Sequence, residues 1–275
     1  MNAAMAHGEP RRVRTLFLSD VHLGTKGAQA AKLVDFLQRF EAETVYLIGD
    51  IVDGWRLREA WYWPDDHNDL AHKFLTMIRS GTRIVYLPGN HDEFLRDFLG
   101  LAFGRVQLVD QIRHVAADGR SYLILHGDQY DVVVKDAPWL AHLGDWAYRA
   151  VMRLNGLVNF VRRRLGKPYW SLSAWAKNKV KNAVNAVGRF EAILSEEARK
   201  EGADGVICGH IHRAADRMIG EFRYLNTGDW VESCTALIEE QNGEIRLIRY
   251  ADLVPDEESQ ASADDAAAHP KIQAA

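Results

Sequence analysis

An α/β fold is what this 275-residue sequence predicts, on three observations. Short apolar or β-branched runs recur along the chain, stretches of helical period separate the first of them, and each run gives way to a loop carrying Asp, Asn or His. At 47% hydrophobic and 26% charged residues there is ample material for a core. The longest apolar runs, such as "LVNFV" (157–161) and "LILH" (123–126), fall far short of the ~20 residues that cross a bilayer.

Residues 1–11 lack periodicity and read as a disordered tail. They contain Gly8, Pro10 and Arg11 but no apolar stretch of the kind that directs secretion, so a cytoplasmic protein is expected. The core begins at 12. "RTLFLS" (14–19), "TVYLIG" (44–49) and "RIVYLP" (83–88) are strands, and the amphipathic stretches 28–40 and 68–80 between them are helices, the spacing of βαβ units. "SYLILH" (121–126) closes the first part of the core at 136. Trp61, Tyr62 and Trp63 are expected to pack in the core rather than line a substrate mouth, and His67, His72, His114 and His142 to lie at the surface or cap helices.

Residues 137–200 break the alternation. Leu172, Ala176, Val180, Ala183, Val187, Phe190 and Leu194 recur at spacings of three and four, one apolar helix face, with Ser171 or Ser173 as its cap. Residues 138–165 form another helix, ended by Gly166 and Pro168. A helical hairpin is thus inserted as a lid between two strands. The core resumes over 201–253 with "DGVICG" (204–209), followed by "FRYLNTG", "CTALIEE" and "EIRLIRY" without intervening helices. "QNG" before the last is a turn signal, and these strands suggest a second, partly antiparallel sheet. Residues 254–275 are a second disordered tail. Cys208 and Cys234 form no metal-binding pattern and read as small core residues of a reducing compartment.

Net charge is -4, yet Trp146 to Phe190 contains ten Lys or Arg and no acid. Trp139, Trp146, Tyr169, Trp170 and Trp175 are interleaved with cations that include Arg162, Arg163 and Arg164. An anionic membrane surface or a phosphorylated substrate would suit that mixture. So would aromatics packed on the core beneath a solvated charged face. Nucleic acid stacked in a basic groove is a third and lesser reading.

Five segments fall at the ends of strands: "SDVH" (19–22), "GDIVD" (49–53), "GNHD" (89–92), "HGD" (126–128) and "GHIH" (209–212). Strand ends are where open α/β sheets build ligand sites. Taken singly, each is a turn. Together and in this order they resemble the calcineurin-like metallophosphoesterase superfamily, which shows DxH, GDxxD, GNH(D/E), a downstream His and GHxH. The resemblance implies a four-layer α/β/β/α sandwich and a site for two divalent metal ions. One ion would be held by Asp20, His22, Asp50 and His212, the other by Asp50, Asn90, His126 and His210, with Asp50 bridging. His91 would act on the phosphate and Asp53 would orient His91. Imidazole with carboxylate and amide oxygen, and no thiolate, suits Mn, with Fe or Zn as alternatives. Two such ions activate water and clamp a phosphate ester. Gly89 is expected to let the backbone turn toward them.

Within that superfamily, "GDIVDGW", "HGD", "CGHIHRA" and "NTGDW" are similar to the UDP-2,3-diacylglucosamine hydrolases of lipid A synthesis over residues 14–235. Those enzymes carry Arg where this chain has His91. The resemblance implies pyrophosphate cleavage in a UDP-sugar lipid at the membrane surface. The basic, aromatic pattern adds Arg162, Arg163, Arg164, Trp170 and Trp175 as expected substrate contacts and a cytoplasmic place, peripheral on the inner face of the cell membrane. A phosphodiesterase or nuclease of the same superfamily, and a non-catalytic scaffold, are the competing readings.

Overall fold

β1 (Arg11–Leu18) shows how the layers arise. Leu16 and Leu18 face one side of its sheet and Phe17 the other, the period of two that a strand imposes, and all three are fully buried. A strand buried on both faces needs cover on both. The computed structural model describes residues 9–130 and 187–254, and within them that cover is complete.

Seven strands form the first sheet. After β1 come β2 (Phe40–Ile48), β3 (Arg83–Leu87), β4 (Ala102–Phe103), β5 (Val106–Leu108), β11 (Thr235–Glu239) and β12 (Ile245–Arg249), in the spatial order β12-β11-β1-β2-β3-β5-β4. The β1, β2, β3 and β5 run is parallel, so their C-terminal ends share one edge. The second sheet contains β6 (Gln111–Val115), β7 (Ser121–Leu125), β8 (Gly205–Cys208), β9 (Ala215–Ile219) and β10 (Phe222–Asn226), ordered β6-β7-β8-β10-β9 with β7, β8 and β10 parallel.

The inner faces of the two sheets meet in a dry layer of Phe17, Tyr46, Ile48, Val85 and Leu87 against Tyr122, Ile124, Ile207 and Leu225. Outside the first sheet, α1 (Ala30–Gln38) and α3 (Asp65–Arg79) pack through Leu33, Phe36, Leu37 and Leu70. Outside the second, a helix over residues 187–200 inserts Phe190, Leu194 and Ala198 against Leu123, Leu125, Val206 and Tyr224. The result is the α/β/β/α order that the sequence implied.

Several expectations are corrected. The three late strands do not make a sheet of their own: β10 joins the second sheet, while β11 and β12 extend the first, β11 antiparallel to β1 and β12 antiparallel to β11. Alternating apolar residues specify a strand but not which of two sheets it enters. The end of the expected lid, residues 187–200, forms the outer helical layer of the core. β1 starts at Arg11, one residue inside the expected tail. His67 and His114 are buried, and Trp61 is 77% exposed, stacked at 5.9 Å on the part-buried Trp63. Cys208 and Cys234 are buried free thiols, as expected. No helix among the described residues is long and apolar enough to cross a membrane.

Candidate metal centre

The loops that follow β1, β2, β3, β7 and β8 bring all seven expected ligands to one edge of the sandwich. Parallel register aligns the first two: Leu18 pairs with Leu47, which brings Asp20 opposite Gly49 and next to Asp50. The turn after β1 is then pinned to the turn after β2, with Asp20 N donating to Gly49 O at 3.0 Å and both Val21 N and His22 N to Asp50 O at 2.9 Å. Asp20, His22, Asp50, His210 and His212 all adopt positive φ, between 50° and 71°. L-residues avoid that region at a cost of about 1 kcal/mol or more each. Such strain concentrated in the expected ligands marks a functional site.

The donor atoms cluster in three overlapping groups. Asp20, His22 and His212 form one group and Asp50, His126 and His210 another, each with its donor atoms within 4.8 Å of one another. A third group of His22, Asp50 and His91 overlaps them. His22 Nε2 and His212 Nε2 are 3.1 Å apart, and Asp50 Oδ2 lies 3.4 Å from His126 Nε2 and 3.9 Å from His22 Nε2. The Nδ1 of His126 sits 2.8 Å from Ile48 O, which can only accept. Nδ1 therefore carries the proton and Nε2 is turned toward Asp50, the arrangement a metal-ligating histidine needs.

Asp20 Oδ1, Asn90 Oδ1 and His126 Nε2 are buried without a hydrogen-bond partner. Unfilled, each such atom costs on the order of 1–3 kcal/mol. Their types, a carboxylate oxygen, an amide oxygen and an imidazole nitrogen, fit divalent cations. Electrostatics agree. Burial opposes charge on Asp50, yet the imidazoles of His126, His22 and His91 hold its carboxyl well below the usual range. Burial likewise works against a charged His126, but Asp50 and Asp20 push it up to about 10. Protons on these rings and divalent cations are alternative ways of neutralising the same carboxylates.

Asp53 and His91 stand beside this cluster. Asp53 caps α2 (Gly54–Glu59) by accepting Arg56 N at 2.9 Å through Oδ1. Its Oδ2 lies 3.0 Å from His91 Nδ1 and 3.4 Å from His22 Nδ1, so one carboxylate orients two rings. Burial disfavours its charge, but those hydrogen bonds hold its carboxyl well below the ordinary value. The His91 ring is held at 4.2 Å by Trp55 and at 4.6 Å by the edge of His22. Its Nε2 is 4.0 Å from Asp50 Oδ2, and with His22 and Asp50 it makes up the third of the donor groups. Burial lowers the His91 pKa, and Asp53 and Asp50 outweigh it, for a net rise.

Gly89 has a different role from the one expected. Its φ is not positive; instead, a Cβ there would lie 2.3 Å from Asp50 Oδ1 and 2.7 Å from His126 Nε2. Close approach, rather than a turn, requires glycine. Three further residues of the quoted motifs received no role from the sequence. Asp92 Oδ1 accepts Gly89 N at 2.6 Å and Asp50 N at 3.3 Å, while Oδ2 accepts Ile51 N at 2.9 Å and the Tyr86 hydroxyl at 2.5 Å. Asp128 takes a two-pronged contact from Arg96 at 2.8 Å, joining the segment after His91 to the loop after His126. Trp55 packs its ring, tilted, against His91 at 4.2 Å. Arg162, Arg163, Arg164, Trp170 and Trp175 lie outside the described residues.

Comparison with known proteins decides the family. Residues 13–214 match the model of the calcineurin-like phosphoesterases. The chain belongs to that family. A UDP-2,3-diacylglucosamine hydrolase of Escherichia coli is 30% identical over 218 residues, covering 73% of this chain and 82% of that one. The protein of the same name from Aliivibrio fischeri is 26% identical over 238 residues, covering 78% and 90%. A hypothetical protein from Pyrococcus horikoshii superposes loosely, with a TM-score of 0.46 at 10% identity over 94% of this chain and 95% of that one. Family and relatives together make this chain a metal-dependent phosphohydrolase.

Proposed function

We propose that this enzyme cleaves the pyrophosphate of a UDP-sugar lipid, such as UDP-2,3-diacylglucosamine, at a centre of two divalent ions. The observation that carries the reading is the convergence of seven oxygen and nitrogen donors, several of them buried and unpartnered, at one edge of the sandwich. In this reading Asp20, His22, Asp50 and His212 hold one ion and Asp50, Asn90, His126 and His210 the other. Manganese is the leading candidate, with iron or zinc as alternatives. When bound, the ions supply Lewis acidity toward phosphate oxygens and lower the pKa of water.

The chain's own residues do the rest. Asp50 is fixed by its backbone contacts to Val21 and His22 and accepts His91 N at 2.8 Å, so a carboxylate between the two groups cannot swing away. The Asp53 carboxylate, 3.0 Å from His91 Nδ1, holds that side of the ring and leaves Nε2 toward the phosphoryl group. There a raised pKa lets the imidazolium neutralise a developing oxyanion or protonate the leaving oxygen. Relatives named for UDP-2,3-diacylglucosamine support the substrate. The basic, aromatic stretch from Trp146 to Phe190 supports an anionic membrane surface as partner and a peripheral place on the inner face of the cell membrane.

The test is incubation with Mn and UDP-2,3-diacylglucosamine, followed by phosphorus NMR, beside bis-p-nitrophenyl phosphate. Release of UMP and a phosphorylated diacylglucosamine is expected. Turnover of the small ester alone removes the lipid substrate, and inertness toward both removes the enzyme.

A further inference from the structure

The two carboxylate oxygens of Asp20 meet different surroundings. Oδ2 accepts His210 N at 3.0 Å and the hydroxyl of Ser19. Oδ1 is buried without a hydrogen-bond partner, 3.2 Å from His212 Nε2. Ser19 Oγ in turn lies 2.6 Å from Thr227 Oγ1 and 3.2 Å from Gly228 O. An ionised carboxylate accepts only, so the Ser19 proton goes to Asp20 in preference to the more distant Gly228 O, and the Ser19 lone pair takes the Thr227 proton at 2.6 Å in preference to Cys208 O, which lies 3.2 Å from Thr227 Oγ1. Ser19 and Asp20 follow β1 of the first sheet and Thr227 follows β10 of the second, so this two-hydroxyl relay crosses between the sheets. Ser19, Asp20, Asn226 and Thr227 are all fully buried.

The neighbouring groups of the "NTGDW" segment serve the same corner. Asn226 Nδ2 donates to Gly209 O at 2.8 Å, and Thr227 N donates to Cys208 O at 3.0 Å. Both fasten the loop that carries His210 and His212 to the end of β10. Trp230 N donates to Asp20 O at 2.9 Å, holding the backbone of Asp20 from the other side.

We infer that Ser19 and Thr227 are positioning residues that commit Asp20 Oδ2 to the protein, leave Oδ1 to face a cation, and thereby set the affinity of the Asp20 site alone. The inference rests on the reading of Asp20, His22, Asp50 and His212 as the holders of one ion. Hydrogen-bond partners of metal ligands are worth ~10- to 100-fold in metal affinity. A hydroxyl that merely filled space would leave metal affinity untouched.

The experiment is calorimetric titration of chelator-stripped full-length chain with Mn²⁺, comparing the parent with Thr227→Val, Ser19→Ala and Thr227→Ser, with thermal melts of the stripped proteins beside it. One of two sites should weaken by about 10-fold or more in Thr227→Val and Ser19→Ala, the other should stay as in the parent, and Thr227→Ser should restore both. Ser19→Ala carries the test if Thr227→Val melts early. Parental affinity at both sites in folded Thr227→Val and Ser19→Ala overturns the inference, as does equal weakening of both sites or failure of Thr227→Ser to rescue. A parent that takes up no Mn²⁺ overturns the metal centre itself, and is told apart by the parent titration alone.

Discussion

At Asp92 a single buried carboxylate holds two loops in register by accepting Gly89 N, Asp50 N, Ile51 N and the Tyr86 hydroxyl. Replacing it with Ala leaves those donors buried and unpaired, so Asp92→Ala is expected to lose on the order of 3 kcal/mol of stability, measured by denaturant unfolding. Asn90 and His91 belong to the same loop and should become mobile with it. His91 itself is a separate case, because the proposed reading assigns it to the phosphate rather than to an ion, with its Nε2 4.0 Å from Asp50 Oδ2. His91→Ala should keep the parental metal content and lower the hydrolysis rate by about 10²- to 10⁴-fold, read from steady-state kinetics beside metal analysis. His91→Arg separates the two roles: substantial activity with Arg means charge stabilisation, and activity with His alone means proton transfer. The ligand types were legible in the sequence because five polar motifs end five strands in order. The work of Asp92 and Gly89 was not, since it depends on distances between loops that only packing brings together. A glycine required for a 2.3 Å approach looks in sequence like a glycine required for a turn.

Glu239 on β11 links elements far from the metal centre. Fully buried, it lies 2.9 Å from His114 Nε2 on β6, accepts the Thr15 hydroxyl of β1 at 2.6 Å and accepts Ala117 N at 2.9 Å. The pair Glu239 and His114 thus ties one edge of the second sheet to the first. Burial pushes the Glu239 pKa up, but the hydrogen bonds from His114, Thr15 and Ala117 N prevail and hold it below its ordinary 4.5. A depressed carboxyl stabilises the fold above the unfolded-state value and ceases to do so as pH falls through the folded value. Glu239→Gln should therefore be less stable than the parent at pH 7, with the gap narrowing below pH 4.5. Denaturant midpoints across that window check the sign. In sequence His114 looked like a surface histidine, because its partner lies 125 positions away. The helix over 187–200 shows the complementary case: Phe190 and Leu194 were legible as an apolar stripe, but the surface they cover, the outer face of β7 and β8, was not.

Across the whole molecule the site lies where the C-terminal edges of two parallel strand runs meet, and no ligand set is complete on one sheet. Asp20, His22, Asp50 and Asn90 follow strands of the first sheet, while His126, His210 and His212 follow strands of the second. Folding of the sandwich and assembly of the site are therefore one event, and the layer order was legible only because the five strand-end motifs resemble a superfamily that has it. The allocation of β10, β11 and β12 between sheets was not legible, because their alternation fits either. The charge pattern also acts at this scale. Neutralising Arg162, Arg163 and Arg164 together should weaken binding to anionic vesicles by roughly 1 kcal/mol per residue, seen by co-sedimentation, and leave hydrolysis of a small soluble ester unchanged. In the proposed two-ion centre, which would span both sheets, Asp50 is the residue on which everything else depends. The measurement that tests it most directly is the metal content of purified parent and Asp50→Asn protein after Mn loading. Two ions per parent chain and reduced occupancy of both sites in Asp50→Asn are expected; a parent that retains none, or an Asp50→Asn that still retains two, would contradict it.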